Sequence, residues 1–364
     1  MKLFECQYCG QLLGFENTRC ERCGHLLGYL PEREVLSALG PGGVEGWRPL
    51  ADVDHLYRFC ANDTHSVCNW LVRSDSPEHY CQACRLNRTI PNLSEPRHVY
   101  RWQRLEWGKH RLVYGLMRLG LPLNAKRDHP EVGLAFDFLS PDDTLWGQPV
   151  TTGHNRGLIT LNIAEADDAE REQLRANLAE PYRTVLGHFR HEVGHYYWER
   201  LIEGEPLIER FRALFGDERR DYASALEQHY NGGMPPDWNQ RHISTYAAAH
   251  PWEDWAETWA HYLHMVDTLE TAYAFGLSLA PRSGHDIALS VIVDFDPYEE
   301  PDFGRVIDHW LPVVYAGNSL NRSMGQQDLY PFVLTPGVLE KLRFVHEVAR
   351  GNGSRATRNV PAAG

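Results

Sequence analysis

Cysteine is absent from the last 280 residues of this chain: all eight cysteines fall between Cys6 and Cys84. Long apolar runs are absent too, and none approaches the ~20 residues that a membrane helix needs. Basic residues are in deficit, with 36 Lys and Arg against 49 Asp and Glu and a formal net charge of −13. The missing apolar runs exclude a helical membrane protein. The basic deficit argues against a general nucleic-acid binder, because phosphate contacts need a surplus of Lys and Arg. The deficit reaches into the cysteine-rich part, where residues 1–100 hold ten Lys and Arg against twelve Asp and Glu. An acidic surface favours solubility, with a mild bias toward basic partners. Met1-Lys2-Leu3-Phe4-Glu5-Cys6 meets a cysteine before any apolar stretch develops, so it does not read as a secretory signal and the cytoplasm is the expected compartment. Thiols stay reduced there, and eight cysteines need a role other than disulfides.

The step in cysteine content is the clearest boundary. It places one cysteine module at 1–50 and a second at 51–95, with Pro91 and Pro96 marking the exit, a larger domain at 96–350 and a disordered tail at 351–364. A helix is expected from near Tyr100, through Trp102, Leu105, Leu112, Val113 and Leu116, to Gly120-Leu121-Pro122. Strands are expected at 133–139 and 157–163, then a helix opened by the acidic residues of 165–168. Pro181 is expected to restart it as a helix with one buried stripe, Val185, Phe189, Val193 and Tyr196. Trp252, Trp255, Ala256, Trp259, Leu263 and Val266 recur at helical spacing, as do Val306, Trp310 and Val314, and a last helix is expected at 336–349. The expected fold class is α+β, mostly helical with a small sheet.

Cys6-x2-Cys9, ten residues, then Cys20-x2-Cys23 is the spacing of a zinc ribbon. Each Cys-x2-Cys knuckle turns two thiolates toward one point, and two knuckles complete a tetrahedron with Zn–S of about 2.3 Å. Gly10 and Gly24 follow the second cysteine of each knuckle and suit its tight turn. Cys60, Cys68, Cys81 and Cys84 are less regular but predict a second all-cysteine site, the alternatives being a ligand from His65 or His79, or a cysteine that is merely buried. Four thiolates leave no open coordination position, so both zinc ions would be structural.

Chemistry is expected at His191-Glu192-Val193-Gly194-His195. Histidines four apart on a helix share one face and can share a zinc ion, and a glutamate beside them can take a proton from zinc-held water. A metzincin would need Gly at 198 and His at 201, where Trp198 and Leu201 stand. A third ligand is offered by Glu253, with Glu257 one helical turn on to hold a histidine ligand's free N–H. The competing reading of that pair is two solvent-facing acids. His188, His261 and His264 are expected in structural roles, and Trp252, Trp255 and Trp259 in the core.

HExxH on one helix and Glu-x-x-x-Glu on a later one resembles the gluzincins, the thermolysin-like metallopeptidases. Glu253-Asp-Trp-Ala-Glu257 is similar to the form in lethal-factor-type toxin proteases. The resemblance implies that Glu253 binds zinc and that Tyr246, seven residues earlier, stabilises the oxyanion. The Cys6–Cys23 knuckles, Cys60–Cys84, His191–His195 and His250-Pro-Trp-Glu-Asp-Trp-Ala-Glu-Thr together resemble a bacterial zinc-binding metallopeptidase family with an N-terminal zinc ribbon, over roughly residues 1–350. It implies a zincin-like domain at 96–350, one catalytic and two structural Zn²⁺, and hydrolysis of amide bonds in a peptide or protein with Glu192 as general base. It also implies that 157–163 is an edge strand pairing with extended substrate. A protein partner is expected through the zinc-ribbon modules, nucleic acid and membrane not. The rival reading is a non-catalytic zinc-ribbon scaffold that binds protein or nucleic acid and carries a peptidase-like domain.

Overall fold

The computed structural model describes residues 2–43, 46–143, 148–177, 184–204, 206–233, 235–282 and 289–356. The chain divides into two compact units: Met1–Tyr114 with Asn124–Gly153 and Leu158–Glu170, and Gly115–Leu123 with His154–Gly157 and Arg171–Gly364. Among the described residues no helix is long and apolar enough to cross a membrane.

The first unit opens with a hairpin of β1 (Phe4–Glu5) and β2 (Leu12–Leu13). Five antiparallel strands follow in sequential order: β3 (Leu27–Leu30), β4 (Val35–Pro41), β5 (Trp47–Pro49), β6 (Tyr57–Phe59) and β7 (Leu71–Arg73). This sheet runs through the boundary expected at 50/51, so the two cysteine modules share one framework. Leu30, Leu39, Tyr57 and Leu71 form its core, with Leu26, Val35, Trp47 and Phe59 packed against them. Each module is too short to bury such a core alone, and the strands pool apolar residues from both.

Asp52 ties down the same sheet. Its side chain is only 3% exposed and accepts from Arg33 Nε at 3.0 Å, His55 Nδ1 at 3.0 Å and Tyr57 Oη at 2.9 Å. Burial works to raise its pKa, but His55, Tyr57 and Arg33 hold it down at about 2.

β8 (Asn87–Thr89) precedes α1 (Pro96–Arg118), which starts on its proline and ends where Gly120 takes φ +64°. The apolar residues expected on its inner face are all buried. β9 (Ala135–Leu139) pairs in parallel with β8 on one side and β11 (Leu158–Asn162) on the other. The short strand β10, which starts at Gly153, lies along the far side of β11. The 157–163 segment is therefore an interior strand and not the free edge expected, because the chain before it folds back and takes up its outer hydrogen bonds.

The second unit is mostly helical. After α2 (Asp168–Asn177), α3 (Val185–Leu201) begins with the Thr184 hydroxyl accepting from Gly187 N–H at 2.9 Å; Pro181 lies outside the described residues. Phe189 through Trp198 are buried without a break, so α3 is enclosed on every side rather than along one stripe. Then come α4 (Ile208–Phe215), α5 (Tyr222–Gly232), α6 (Trp238–Arg241), α7 (Pro251–Ala274), α8 (Phe303–Ser323) and α9 (Pro336–Ala356). Trp255 and Trp259 are fully buried at the centre, Tyr197 stacks on Trp259 at 5.1 Å, and Phe211, Phe215 and Phe344 surround Trp255. The backbone of α9 continues to Ala356, into the segment expected as tail, while residues 357–364 lie outside the described residues. The architecture is mixed helix and sheet, with sheets in the first unit and helices dominating the second.

Replacing Asp52 by Asn should lower the unfolding free energy by about 2 kcal/mol, since a buried carboxylate with charged donors loses its charge. A carboxylate with a depressed folded pKa stabilises above its unfolded value of about 4 and ceases to do so as pH falls toward 2. The stability difference between wild type and Asp52→Asn, read by denaturant melts, should thus be full at pH 7 and shrink below pH 4. A pH-independent difference would refute the assignment.

Candidate metal centres

Two groups of four cysteines converge in the first unit: Cys6, Cys9, Cys20 and Cys23, and Cys60, Cys68, Cys81 and Cys84. In the first, Gly10 N–H returns to Cys6 O at 2.9 Å and Gly24 N–H to Cys20 O at 2.8 Å, with both glycines at positive φ. Sulfur pairs from opposite knuckles stand 3.6 Å apart, Cys6 with Cys23 and Cys9 with Cys20. In the second, backbone N–H groups of Trp70, Cys81 and Cys84 point at Cys68, Cys60 and Cys81 sulfurs at 3.4 Å, the donors expected around thiolates. All eight thiols are free. His65 and His79 belong to no converging group among the described residues. His110 does approach, with Nε2 at 3.7 Å from Cys84 Sγ, and Glu106 converges with it. Glu106 is already occupied, however, accepting from Trp102 Nε1 at 3.0 Å, Asn87 Nδ2 at 2.7 Å and Lys109 Nζ at 2.8 Å. That trio is part of the wall of the cysteine site.

A third group of candidate ligands forms in the second unit where α3 crosses α7. Gly194 makes the crossing close: a Cβ built there would stand 3.0 Å from Ala256 Cα. Trp255 Nε1 donates to Gly194 O at 2.9 Å across the same contact. His250 caps α7, its Nδ1 accepting from Trp252 N–H at 3.1 Å while Nε2–H donates to Arg220 O at 3.1 Å. One nitrogen accepting and the other donating requires a neutral ring, and burial accordingly lowers the His250 pKa.

This crossing brings His191, His195 and Glu253 together, one ligand atom from each lying within 4.8 Å of the others. The two Nε2 atoms are 3.2 Å apart, and Glu253 Oε2 lies 3.0 Å from His191 Nε2 and 3.5 Å from His195 Nε2. Glu253 is 1% exposed and its Oε2 has no hydrogen-bond donor among the described residues. His191 Nδ1–H donates to Glu257 Oε1 at 2.7 Å, which turns the Nε2 lone pair inward. Two imidazole nitrogens and a buried carboxylate oxygen facing one point can together hold a cation, and this donor set fits zinc.

The charges agree. Burial disfavours ionised His191, Glu253 and Glu257, yet His191 is raised well above its ordinary pKa by both carboxylates, Glu253 is held well below by His195 and His191, and Glu257 is pulled to about 2 by His191. Glu192, also buried, is lowered by His188, whose Nε2 stands 3.2 Å from Glu192 Oε1. His188 therefore touches the carboxylate of the motif. Tyr246 lies with its ring 5.9 Å from that of His191, and burial raises its phenol well above the usual value. His261 and His264 pair instead with Tyr330 at 2.7 Å and Arg190 at 2.6 Å.

Sequence reasoning missed four contributors. Ser244 Oγ donates to Glu257 Oε2 at 2.7 Å, Tyr222 Oη donates to Glu253 Oε1 at 2.6 Å, and His195 packs between His154 at 6.1 Å and Trp252 at 4.0 Å, ring to ring. Ser244 stands two residues before Tyr246 and was within reach of inspection; Tyr222 and His154 carry no local signal.

Gly194→Ala should lower stability by about 1–3 kcal/mol through the forced separation of α3 and α7. It should also weaken metal binding at the histidine centre. Thermal melts with zinc titration would check both, and a variant indistinguishable from wild type would refute the crossing's role.

Comparison with known proteins agrees with this geometry. Residues 98–348 match the family described as "Putative zinc-binding metallo-peptidase" and residues 3–95 match a zinc-ribbon domain. Uncharacterized proteins of Mycobacterium tuberculosis and Mycobacterium bovis are 44% identical over 349 residues, covering 96% of this chain and 95% of each relative. No solved structure matches. The chain thus belongs to the zinc-binding metallo-peptidase family of that description, with a zinc-ribbon domain at its N-terminus.

Proposed function

We propose that this chain is a zinc-dependent peptidase of gluzincin type, its zincin-like domain hydrolysing amide bonds in a peptide or protein substrate. The observation that carries the reading is the convergence of His191 Nε2, His195 Nε2 and the donorless Glu253 Oε2, beside a Glu192 that is kept ionised. Three protein ligands leave one coordination position for solvent, as catalytic zinc sites require. Reduced thiols throughout the cysteine sites suit a cytoplasmic enzyme.

Zinc, when bound, supplies a Lewis acid that polarises the scissile carbonyl and acidifies water. Glu192 accepts the water proton, its carboxylate held ionised beside His188, and returns it to the leaving amine. Tyr246, kept protonated by burial, offers its O–H to the developing oxyanion. Glu257, itself held by Ser244, fixes the tautomer and orientation of His191. The two cysteine groups hold structural zinc.

Glu192→Gln should retain zinc and lower hydrolysis by at least about 100-fold. Cleavage mapping on a proteome-derived peptide library, wild type against variant, decides it; identical cleavage by both would sink the reading. Tyr246→Phe should reduce kcat by about 10²-fold with zinc content unchanged. Metal analysis should give three zinc per chain, one removable by a mild chelator. Two tightly held ions and no exchangeable one would instead fit a non-catalytic scaffold.

A further inference from the structure

Glu253 has two carboxylate oxygens in unequal surroundings. Oε2 faces both ligand imidazoles without a hydrogen-bond donor, while Oε1 accepts from Tyr222 Oη at 2.6 Å. A carboxylate free to turn can offer a metal one oxygen or two. If two oxygens bind, the position needed by water and substrate is crowded. A strong O–H donor on one oxygen, in a charge-assisted bond, holds it away from that role.

Tyr222 is placed for this by more than chance approach. It is the first residue of α5, and Asp221 caps that helix by accepting from Ser224 N–H at 2.8 Å. The preceding Arg220 carbonyl accepts from His250, the residue that caps α7. One imidazole therefore links the start of the helix bearing Glu253 to the segment bearing Tyr222. The phenol ring is further set edge-on against His250 at 5.2 Å and Trp252 at 6.0 Å. Tyr222 is 38% exposed as a residue while Glu253, which its hydroxyl serves, is 1% exposed, so it is not core filling.

We propose that Tyr222 is a positioning residue that confines Glu253 to binding metal through one oxygen and so keeps a coordination place open. The inference rests on the peptidase reading above for its purpose, but its test does not depend on turnover. Tyr273 supplies the contrast, an exposed phenol near the far end of the same helix as Glu253, for which the proposal predicts no effect on the metal.

The test uses the full chain, with the two cysteine sites left holding zinc. The chelator-exchangeable centre is emptied and reloaded with cobalt(II), whose visible absorption weakens as coordination number rises. Tyr222→Phe keeps the ring and removes only the hydroxyl. It should bind zinc at that centre about 10–100-fold more weakly and give a weaker, shifted cobalt band. Tyr273→Phe should match wild type in both readouts. Thermal melts of the chelated proteins check folding, and Tyr222→Trp serves as a second hydroxyl-free variant. Should Tyr222→Phe show wild-type zinc affinity and an unchanged cobalt spectrum, the proposal is overturned. Failure of wild type to load metal at that centre would overturn it together with the peptidase reading. Normal metal loading with the predicted Tyr222 effects, but no cleavage of any peptide, would overturn the peptidase reading alone.

Discussion

The second unit is organised by how close α3 and α7 come at Gly194 and Ala256. A hydrogen atom in place of a side chain lets two helices meet with backbone nearly on backbone. Trp255 then spans the seam with an indole hydrogen bond to the Gly194 carbonyl. His191 and His195 sit on either side of that glycine, and Glu253 lies on the turn of α7 just before Ala256. Separating the axes by the width of a methyl group would move the carboxylate out of reach of the imidazoles. A tight-packed interior resists such adjustment, so the crossing behaves as a fixed jig for the ligands.

Around that jig the polar groups are arranged to prevent drift. Glu257 holds His191, and Ser244 holds Glu257. His195 is treated differently. Its outer nitrogen has no hydrogen-bond partner among the described residues, and flat rings of His154 and Trp252 lie against it. One imidazole is thus oriented by a carboxylate, which makes its inner nitrogen a stronger donor, and the other by its flanking rings.

Much of the centre was legible from residue spacing, because its chemistry lies within single helices. His191 and His195 face one way through helical periodicity, and Glu253 and Glu257 likewise, so only the meeting of the two helices had to be supposed. Tyr222 and His154 were not legible. Their contributions come from the path of the chain between helices, which no local pattern records. The cysteine spacing indicated both thiolate groups but hid the sheet beneath them, since β5, β6 and β7 are only three residues long and too short for alternation to show. The 157–163 segment read as a strand and is one, yet whether a strand is interior or peripheral depends on its neighbours. Pooling of strands across residue 50 likewise reflects how short each half is.

That shared sheet has a consequence for biosynthesis. Cys20 and Cys23 lie just before β3, while Cys60 follows β6 and Cys68 precedes β7. The backbone N–H of Tyr29 bonds to Asn69 O at 2.9 Å, and the Asn69 side chain reaches back to the carbonyls of Phe15 and Asn17. A nascent chain can gather its first four thiols around an ion once Cys23 leaves the ribosome, but the platform that shelters them is not complete until Arg73 has emerged. During that interval the early cluster lacks the hydrogen bonds that Asn69 later brings to the loop between its two knuckles.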